Sequence, residues 1–334
     1  MKRFCIPPTI TLIGQNSFFS CTQLVSIKIP PSVTIIDESA FRQCSSLIDV
    51  SIPFSVKTIK KNAFSFCESL EKITIPFSVN RIEEAVFHCC RSLKYIKIPN
   101  TITTLEKNLF NQCESLKQIT IPSSVTSIEN GCFIHCSQLR EVIFDSVKNI
   151  GYNAFAYCNK LQNITLSTVT FIGSHAFECC YSLLQITIPS SIKSIGSNAF
   201  SDCTHLSQVT IYSTSLASID DFTFQNCQSL KTIEIPSSVV SIGKSAFFGC
   251  KSLKRINFSP DSSLVSIGDY CFTNCSSLSK FVIPSSVNSI GEYAFSYCVS
   301  LQKINIPKSV SSINTSAFCK CSSLVNISIP SSIK

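Results

Sequence analysis

Several features that would point to an enzyme or a membrane protein are missing from this sequence. It has no tryptophan, one methionine, nine glycines and only 14% charged residues. It contains no P-loop, nucleophile elbow, zinc-protease helix or dinucleotide fingerprint, so we expect neither an enzyme nor a bound cofactor. No apolar run is long enough to span a membrane. No Pro/Gly linker, charge block or low-complexity tail divides the chain, which predicts a single domain over residues 1–334.

What the sequence has in abundance is one unit, written fourteen times. Each copy contains a phenylalanine, a cysteine three residues later and a leucine three residues after that. The phenylalanines are mostly 23 residues apart, with steps of 22, 24 and 25 in the middle of the chain. Such a period predicts a solenoid, in which each copy buries its apolar side against its neighbours. The phenylalanines are Phe18, Phe41, Phe64, Phe87, Phe110, Phe133, Phe155, Phe177, Phe200, Phe224, Phe247, Phe272, Phe295 and Phe318.

The segment after the repeat leucine predicts a short strand. In residues 70–76 two isoleucines alternate with polar residues, and a proline that has no N–H for a ladder ends the pattern. A second aliphatic pair follows, such as Val125 and Ile128, and the Ala-Phe pair fills the interior. We expect glycines such as Gly196 to permit a sharp change of direction. Stacked copies would place the first strands about 4.8 Å apart as one parallel sheet.

This unit resembles the BspA-like class of leucine-rich repeats over essentially the whole chain. The resemblance implies a curved β-solenoid of about 14 repeats, with its parallel sheet on the concave face. It also implies a non-enzymatic protein-recognition role, often as a microbial or protist surface antigen or adhesin, and it brings no catalytic residue. One copy carries the pattern on Leu183, Ile186, Ile188, Pro189, Ile192, Ile195, Gly196, Ala199, Phe200 and Cys203.

The location of the protein stays open at this point. The resemblance implies the cell surface. However, the chain begins at Met1 inside a repeat, without the apolar core of a secretory signal, and ends inside a repeat without an anchor. We therefore expect a solenoid truncated at both ends. A column of free thiols suits a reducing compartment, so an intracellular protein-interaction scaffold is the alternative function.

Most of the excess positive charge falls on three columns beside the first strand. The net charge is +8, and the three variable positions between the repeat leucine and the second strand isoleucine hold eleven basic and four acidic residues. The basic residues include two clusters that we expect to lie on the concave surface. The clusters are Lys94, Lys97, Lys117 and Arg140, and Lys231, Lys254, Arg255, Lys280 and Lys303.

These clusters have a functional and a bland interpretation. They would attract a protein ligand with an acidic surface, or a polyanion such as a glycosaminoglycan or a membrane surface. Alternatively, lysines only solvate an exposed sheet and discourage edge pairing. Nucleic acid is disfavoured, because Tyr95 is nearly alone in these columns as an aromatic on which a base would stack.

Fourteen of the 20 cysteines follow the repeat, which predicts a structural column. A buried thiol is a small apolar filler that can face the backbone carbonyls of a neighbouring turn. Neighbouring side chains in such a column run parallel, which suits a disulfide poorly. The column is Cys21, Cys44, Cys67, Cys90, Cys113, Cys136, Cys158, Cys180, Cys203, Cys227, Cys250, Cys275, Cys298 and Cys321.

The other cysteines do not form a standard metal motif. Cys132 and Cys271 replace the repeat alanine, so we expect both in the core. Cys89 follows His88, and Cys132 precedes His135, but neither spacing matches a zinc site and four ligands are not assembled. We expect no metal, and all four histidines on the surface. The six cysteines outside the column are Cys5, Cys89, Cys132, Cys179, Cys271 and Cys319.

Four copies change length, always in the turn that leaves the first strand. The turn is one residue shorter after Phe144 and Leu166, one longer after Ile211 and two longer after Phe258. Insertions on one edge of a repeat protein mark a binding edge, or they reflect drift in a tolerant loop.

Overall fold

A computed structural model describes residues 3–331 and residue 333, with side chains from residue 6 onward. These residues form strands and turns and no helix, in two compact units, Met1–Ile164 and Thr165–Lys334. We call them the N-terminal and C-terminal units and describe each by itself. Met1 and Lys2, where a secretory signal would begin, lie outside the described residues. One continuous domain over residues 1–334 stays a prediction.

The described residues contain 27 strands, numbered β1 to β27 in chain order. They belong to two series, because a copy typically contributes a first strand after the repeat leucine and a short second strand about nine residues later. After Leu278 the first strand is reduced to an isolated bridge at Lys280, and no second strand is present in the described residues between Lys303–Asn305 and Asn326–Ser328. First strands of the N-terminal unit are β1 (Arg3–Cys5), β3 (Ser26–Lys28), β5 (Asp49–Ser51), β7 (Lys72–Thr74), β9 (Tyr95–Lys97), β11 (Gln118–Thr120), β13 (Glu141–Ile143) and β15 (Asn163–Ile164). Those of the C-terminal unit are β17 (Gln185–Ile188), β19 (Gln208–Ile211), β21 (Thr232–Ile235), β23 (Arg255–Phe258), β26 (Lys303–Asn305) and β27 (Asn326–Ser328).

The second strands have two residues each. In the N-terminal unit they are β2 (Leu12–Ile13), β4 (Ile35–Ile36), β6 (Thr58–Ile59), β8 (Arg81–Ile82), β10 (Thr104–Leu105), β12 (Ser127–Ile128) and β14 (Asn149–Ile150). In the C-terminal unit they are β16 (Phe171–Ile172), β18 (Ser194–Ile195), β20 (Ser218–Ile219), β22 (Ser241–Ile242), β24 (Ser266–Ile267) and β25 (Ser289–Ile290).

Pairing within each unit is parallel and joins one copy to the next. The N-terminal unit contains the sheets β1-β3-β5-β7-β9, β11-β13-β15 and β2-β4-β6-β8, and β10, β12 and β14 pair in that order. In the C-terminal unit β17 pairs with β19, β21 with β23, β26 with β27, and β20, β22, β24 and β25 form one sheet. In this register, aliphatic residues of neighbouring strands are paired with each other, for example Ile73 with Ile96 and Ile233 with Ile256. The predicted solenoid of stacked parallel strands is thereby confirmed in each unit.

The second ladder is a feature that the sequence analysis did not predict. It was hidden because a two-residue strand is too short to show an alternating pattern. Its inner residue is buried and its outer residue is half-buried or exposed, as Ile128 and Ser127 illustrate. Within each unit, most neighbouring copies therefore make two parallel strand contacts instead of one.

A left-handed residue lies two positions before and two positions after each repeat phenylalanine. In the described residues these positions have φ between 52° and 63° where they are not glycine, as at Asn62 (58°) and Phe66 (61°). Gly131 and Gly249 occupy the same positions with φ of 63° and 71°. The tight turn around the phenylalanine is therefore built mainly from residues that have a Cβ, although this region favours glycine.

The expected role of Gly196 as a turn residue was wrong. Its φ does not lie in the left-handed region, where Gly131 and Gly249 are found. A Cβ added at Gly196 would lie 2.4 Å from the backbone nitrogen of Ser174 in the preceding copy. Glycine is needed there because two backbones approach closely.

Phenylalanine rings form the centre of each unit. Neighbouring rings of the N-terminal unit stack with centroids 5.0–6.0 Å apart, and those of the C-terminal unit with centroids 5.3–5.6 Å apart. Their planes are within 25° of parallel, in the separation range of favourable aromatic pairs. From Phe41 to Phe295 every repeat ring is fully buried, so each contributes roughly 1.5–3 kcal/mol of apolar burial.

The serine of the Pro-x-Ser-Val turn ties one copy to the copy before it. Ser55 Oγ donates to the carbonyl of Val33, and Ser124 Oγ to that of Ile102, both at 2.6 Å. In the C-terminal unit Ser191 Oγ donates to Val169 at 2.6 Å. These bonds satisfy carbonyls at the turn that the strand ladders do not reach.

Candidate recognition surface

The first strands present a row of variable side chains to solvent. The residue three positions after the repeat leucine is buried, as is Ile96, whereas the residues on either side of it are exposed, as are Tyr95 and Lys97. The residue directly after the leucine, for example Lys94, is also exposed, and it lies next to the strand ladder. We call the residues at these three exposed positions the first-strand surface. It contains both predicted basic clusters, one in each unit.

The basic cluster of the N-terminal unit is only partly free of carboxylates. Lys94, Lys97, Lys117 and Arg140 are all exposed. Lys94 Nζ lies 3.0 Å from the Glu71 carboxylate of the preceding copy, so part of its charge is compensated. The backbone N–H of Arg140 donates to the carbonyl of Lys117 at 2.8 Å, which places these two residues side by side in neighbouring copies.

The basic cluster of the C-terminal unit is denser. The backbone N–H of Lys254 donates to the carbonyl of Lys231 at 2.9 Å, and Lys280 is the register partner of Lys303. Arg255, the first residue of β23, directly follows Lys254. All five side chains are exposed, and in the part of the chain that the structure describes none forms an ion pair with a carboxylate.

This arrangement is electrostatically unfavourable for the isolated unit. Like charges at directly opposite positions of neighbouring strands destabilise a sheet. Two unit charges separated by one strand spacing repel by about 1 kcal/mol in water. An anionic ligand on this surface would remove that repulsion.

A groove adjoins the C-terminal cluster where the turn is longest. It has a volume of about 440 Å³ and is lined by Arg255, Lys280, Pro260 and Val282, among others. Pro260 belongs to the two-residue insertion after Phe258, so the predicted location of that insertion, in the turn leaving the first strand, is confirmed. Its role as a binding edge stays a prediction.

The cysteine column lies in the interior of each unit. Twelve of its fourteen thiols are buried, and Cys21 and Cys321 are half-buried. The Sγ of Cys67 donates to the carbonyl of Phe41 at 3.2 Å, and Cys250 does the same to Phe224 at 3.2 Å. Every cysteine whose side chain is described carries a free thiol; the side chain of Cys5 lies outside the described residues.

Burial also controls the ionisation of these thiols. It raises the pKa of Cys44 to about 12 and, as the largest cause, the pKa of Cys67 well above the usual value. A thiol that resists ionisation is a poor nucleophile and a poor metal ligand. The column therefore contributes packing and hydrogen bonds.

The remaining cysteines and histidines are only partly as predicted. Cys132 and Cys271 are buried in the core, which confirms that prediction. His135 and His205 are exposed, but His88 is half-buried, and desolvation lowers its pKa. His88 Nε2 lies 3.4 Å from the Sγ of Cys89. In the described residues, no group of three or more His, Cys, Asp or Glu side chains is placed to hold a metal ion.

An exposed aromatic pair was missed by the sequence analysis. Phe54 and Phe77 follow the proline that ends the first strand, and they are 66% and 70% exposed. Several other copies have serine there, for example Ser123 and Ser190. Phenylalanine at this position in two successive copies was the available signal, and it was overlooked because the variable positions were sorted by charge alone.

Comparison with known proteins identifies a repeat family along the chain. The family described as BspA type Leucine rich repeat region matches in 6 copies, over residues 1–117, 103–224, 170–264 and 257–334. No curated protein matches the chain. Among the described residues, no helix is long and apolar enough to cross a membrane.

Three solved structures illustrate the likeness. A leucine-rich repeat protein from Bacteroides ovatus is 32% identical, with a TM-score of 0.77, over 91% of this chain and 86% of that one. A leucine rich cell surface protein from Faecalibacterium prausnitzii is 30% identical, with a TM-score of 0.51, over 98% and 87%. The pneumococcal vaccine antigen PcpA is 19% identical, with a TM-score of 0.53, over 99% and 82%, and it supports the fold alone.

Proposed function

Since the chain belongs to the BspA type leucine-rich repeat family, we propose that it is a non-enzymatic recognition protein that binds other proteins through its first-strand surface. A role in protein interaction is consistent with this repeat family. The finer proposal is that the chain acts as a surface antigen or adhesin. It is supported by the likeness to a cell surface protein at 30% identity over 98% of this chain.

The observation that carries the proposal is the C-terminal basic cluster. Lys231, Lys254, Arg255, Lys280 and Lys303 stand exposed on consecutive copies without carboxylate partners among the described residues. Such an array steers an acidic protein surface to the site and accelerates association. The neighbouring groove, with Val282 and Pro260, would add apolar contact.

Two further candidates rest on specific observations. An intracellular interaction scaffold of the same architecture is supported by the column of free thiols, which suits a reducing compartment. A polyanion-binding role is supported by the same basic cluster, because sulfated polysaccharides bind mainly through charge.

Charge reversal tests the binding surface. The variant K254E/R255E/K280E should lose at least tenfold in affinity for purified extracellular-matrix proteins that bind the wild-type chain. The matched control K193E/K244E/K251E makes the same charge change at exposed lysines outside the first-strand surface and should bind normally. Equal binding by all three proteins would refute the role of this surface.

Salt dependence and location separate the candidates. Binding to immobilised heparin should fall steeply between about 50 and about 500 mM salt if charge alone carries it, whereas binding through a protein interface with apolar contacts should persist.

Cell staining tests the location of the protein. Antibody staining of intact cells that surface protease treatment removes would support the antigen or adhesin role. Staining only after permeabilisation would contradict that role and favour the intracellular scaffold.

A further inference from the structure

We propose that a groove on the N-terminal unit anchors a partner protein by accepting an apolar side chain next to a carboxylate. The groove lies on β5 and β7 and on the turns that follow β5, β7, β9 and β11, and it contains Phe54 and Phe77. The inference deepens the proposed protein-recognition function and rests on it. It uses residues outside both basic clusters except for Lys97.

The aromatic pair supplies the apolar part of the site. The ring centroids of Phe54 and Phe77 are 5.2 Å apart with planes inclined at 45°, so the rings form one continuous apolar surface. Both remain mostly exposed although every repeat phenylalanine from Phe41 to Phe295 is fully buried. Exposed apolar patches of this kind mark interaction sites, and aromatic residues dominate the binding energy of interfaces.

The groove beside the rings is an open cleft large enough for several side chains of a bound segment. Its volume is about 830 Å³, within the range of sites that enclose ligand groups. The buried isoleucines of the strands and the turn prolines Pro76, Pro99 and Pro122 contribute to its lining. Proline rings hold their backbone rigid, so the walls are formed in advance of binding.

Two lysines give the groove its polarity. Lys72 and Lys97 line it, both are exposed, and among the described residues neither is within ion-pair distance of a carboxylate. Asp49 is the one carboxylate in the groove lining; the register of β5 with β7 places it opposite Lys72, and it lies two copies before Lys97. An incoming acidic group is therefore favoured at the Lys97 side of the groove, while its apolar neighbour covers the rings.

This combination favours a protein partner over a polyanion. A polysaccharide sulfate or a phosphate gains from the lysines but gains nothing from covering two phenylalanine rings. A protein segment with leucine or phenylalanine beside aspartate or glutamate gains from both, since apolar area and charge are satisfied together.

A displayed random-peptide library provides the probe. Panning on the wild-type chain should enrich peptides with an aromatic or aliphatic residue adjacent to an acidic one. Selected peptides should bind the F54S/F77S variant at least tenfold more weakly, and K72E/K97E should reduce binding by a similar factor. Serine is the residue at the same position in other copies, at Ser123 and Ser190, so these substitutions keep the turn chemistry.

The matched control is F171S. Phe171 is 43% exposed on a second strand of the other unit, where Ser194 and Ser218 are found in later copies. It should leave peptide binding unchanged, and circular dichroism should show all variants folded. A folded F54S/F77S variant that binds the selected peptides as the wild type does would overturn the inference.

Other outcomes distinguish this inference from the proposed function. Peptides that require Lys254, Arg255 and Lys280 but tolerate F54S/F77S would overturn the groove and leave the proposed function standing. No enriched peptide on any part of the first-strand surface would count against both. Heparin binding that F54S/F77S weakens, or concentration-dependent self-association that it abolishes, would assign the groove to a polyanion or to a second copy and overturn the protein-partner proposal.

Discussion

Thiols of the cysteine column are the residues whose ionisation depends most on folding. Burial raises the pKa of Cys44 to about 12 from an ordinary value of 9.0, and it is the largest cause of the raised pKa at Cys67 and Cys113. The neutral thiol also donates a hydrogen bond to a phenylalanine carbonyl of the preceding copy, as Cys113 does to Phe87 at 3.3 Å. Ionisation would place an unsolvated charge against that carbonyl.

The pH dependence of stability follows from these shifts. Because the folded-state pKa is raised, the stabilisation is complete below pH 9 and is lost as pH rises toward the folded pKa of about 12. In that range each buried thiol lowers the free energy of unfolding by about 1.4 kcal/mol per pH unit. We expect the reduced protein to unfold cooperatively within about one pH unit above 9, as followed by circular dichroism.

Variants test whether the thiols cause this effect. Urea unfolding of C67A/C90A should show a slope against pH that is shallower by about 2.7 kcal/mol per pH unit above pH 9. Packing lost with the two sulfur atoms shifts the stability at every pH and leaves the slope unaffected. A63G, which removes a buried methyl group and no titratable group, should keep the wild-type slope. If the free energy of unfolding has the same pH dependence in the wild type, in C67A/C90A and in the control, the buried thiols do not cause the effect.

At the level of the element, the turn around each phenylalanine is strained in a regular way. Its two left-handed positions are filled mainly by residues with a Cβ, and such a residue in this region costs about 1–2 kcal/mol. The strain persists because the turn's N–H groups bond to the next copy, as Phe41 N–H does to the Ala63 carbonyl at 2.8 Å. The turn is thereby a third hydrogen-bonded contact between copies.

Two alanines allow that strain to be measured. Ala85 has φ of 57°, whereas Ala63 occupies the neighbouring column without a left-handed φ, and both are buried. Ala63→Gly should destabilise the protein by about 1.5 kcal/mol, through lost apolar burial and added backbone entropy. Ala85→Gly loses the same apolar burial and gains the same backbone entropy, but it also relieves the strain of the left-handed conformation. Its free energy of unfolding should therefore stay within about 0.5 kcal/mol of the wild-type value. Equal losses in urea unfolding would show that the left-handed turn stores no strain.

The elements differ in how much of them the sequence predicts. The phenylalanine and cysteine columns repeat with one identity, and the buried first-strand column is apolar in every copy, so their burial and stacking follow from periodicity. The second ladder and the left-handed positions do not, because a two-residue strand has no visible period and the left-handed positions hold Asn62, Phe66 and Ala85 alike. Backbone conformation there is imposed by stacking, and no local residue preference reveals it.

The candidate site was likewise predicted only in part from the sequence. Charge sorted by column predicts a basic surface that includes Lys254 and Lys280, and these side chains are exposed. It did not reveal that Lys94 is compensated by Glu71, because that pairing depends on side-chain conformation between copies. The groove at Phe54 and Phe77 was not predicted for a similar reason, since its walls come from four successive turns.

For the whole molecule, the distribution of charge matters more than its sum. The wild-type net charge is +8, and each lysine or arginine changed to glutamate lowers it by two, so K254E/R255E/K280E and K193E/K244E/K251E both have +2. On a sulfonate cation exchanger at neutral pH, we expect the first variant to elute at clearly lower salt, because a dense patch dominates adsorption to a charged surface. Elution of the two variants at the same salt concentration would show that the cluster adsorbs to the exchanger no more strongly than scattered lysines do.

Every contact between copies in these units is offset by one copy, and this has a consequence for the gene. Removal of the 23 codons for residues 65–87 would join Phe64 to His88, and Cys90 would again stand three residues after a phenylalanine. Its sulfur would then meet the carbonyl of Phe41 in place of that of Phe64, which it meets now. Unequal recombination between repeats can thus shorten or lengthen such a chain by whole copies while the core contacts keep chemically equivalent partners, and copy number becomes a heritable variable that selection can adjust without redesigning the core.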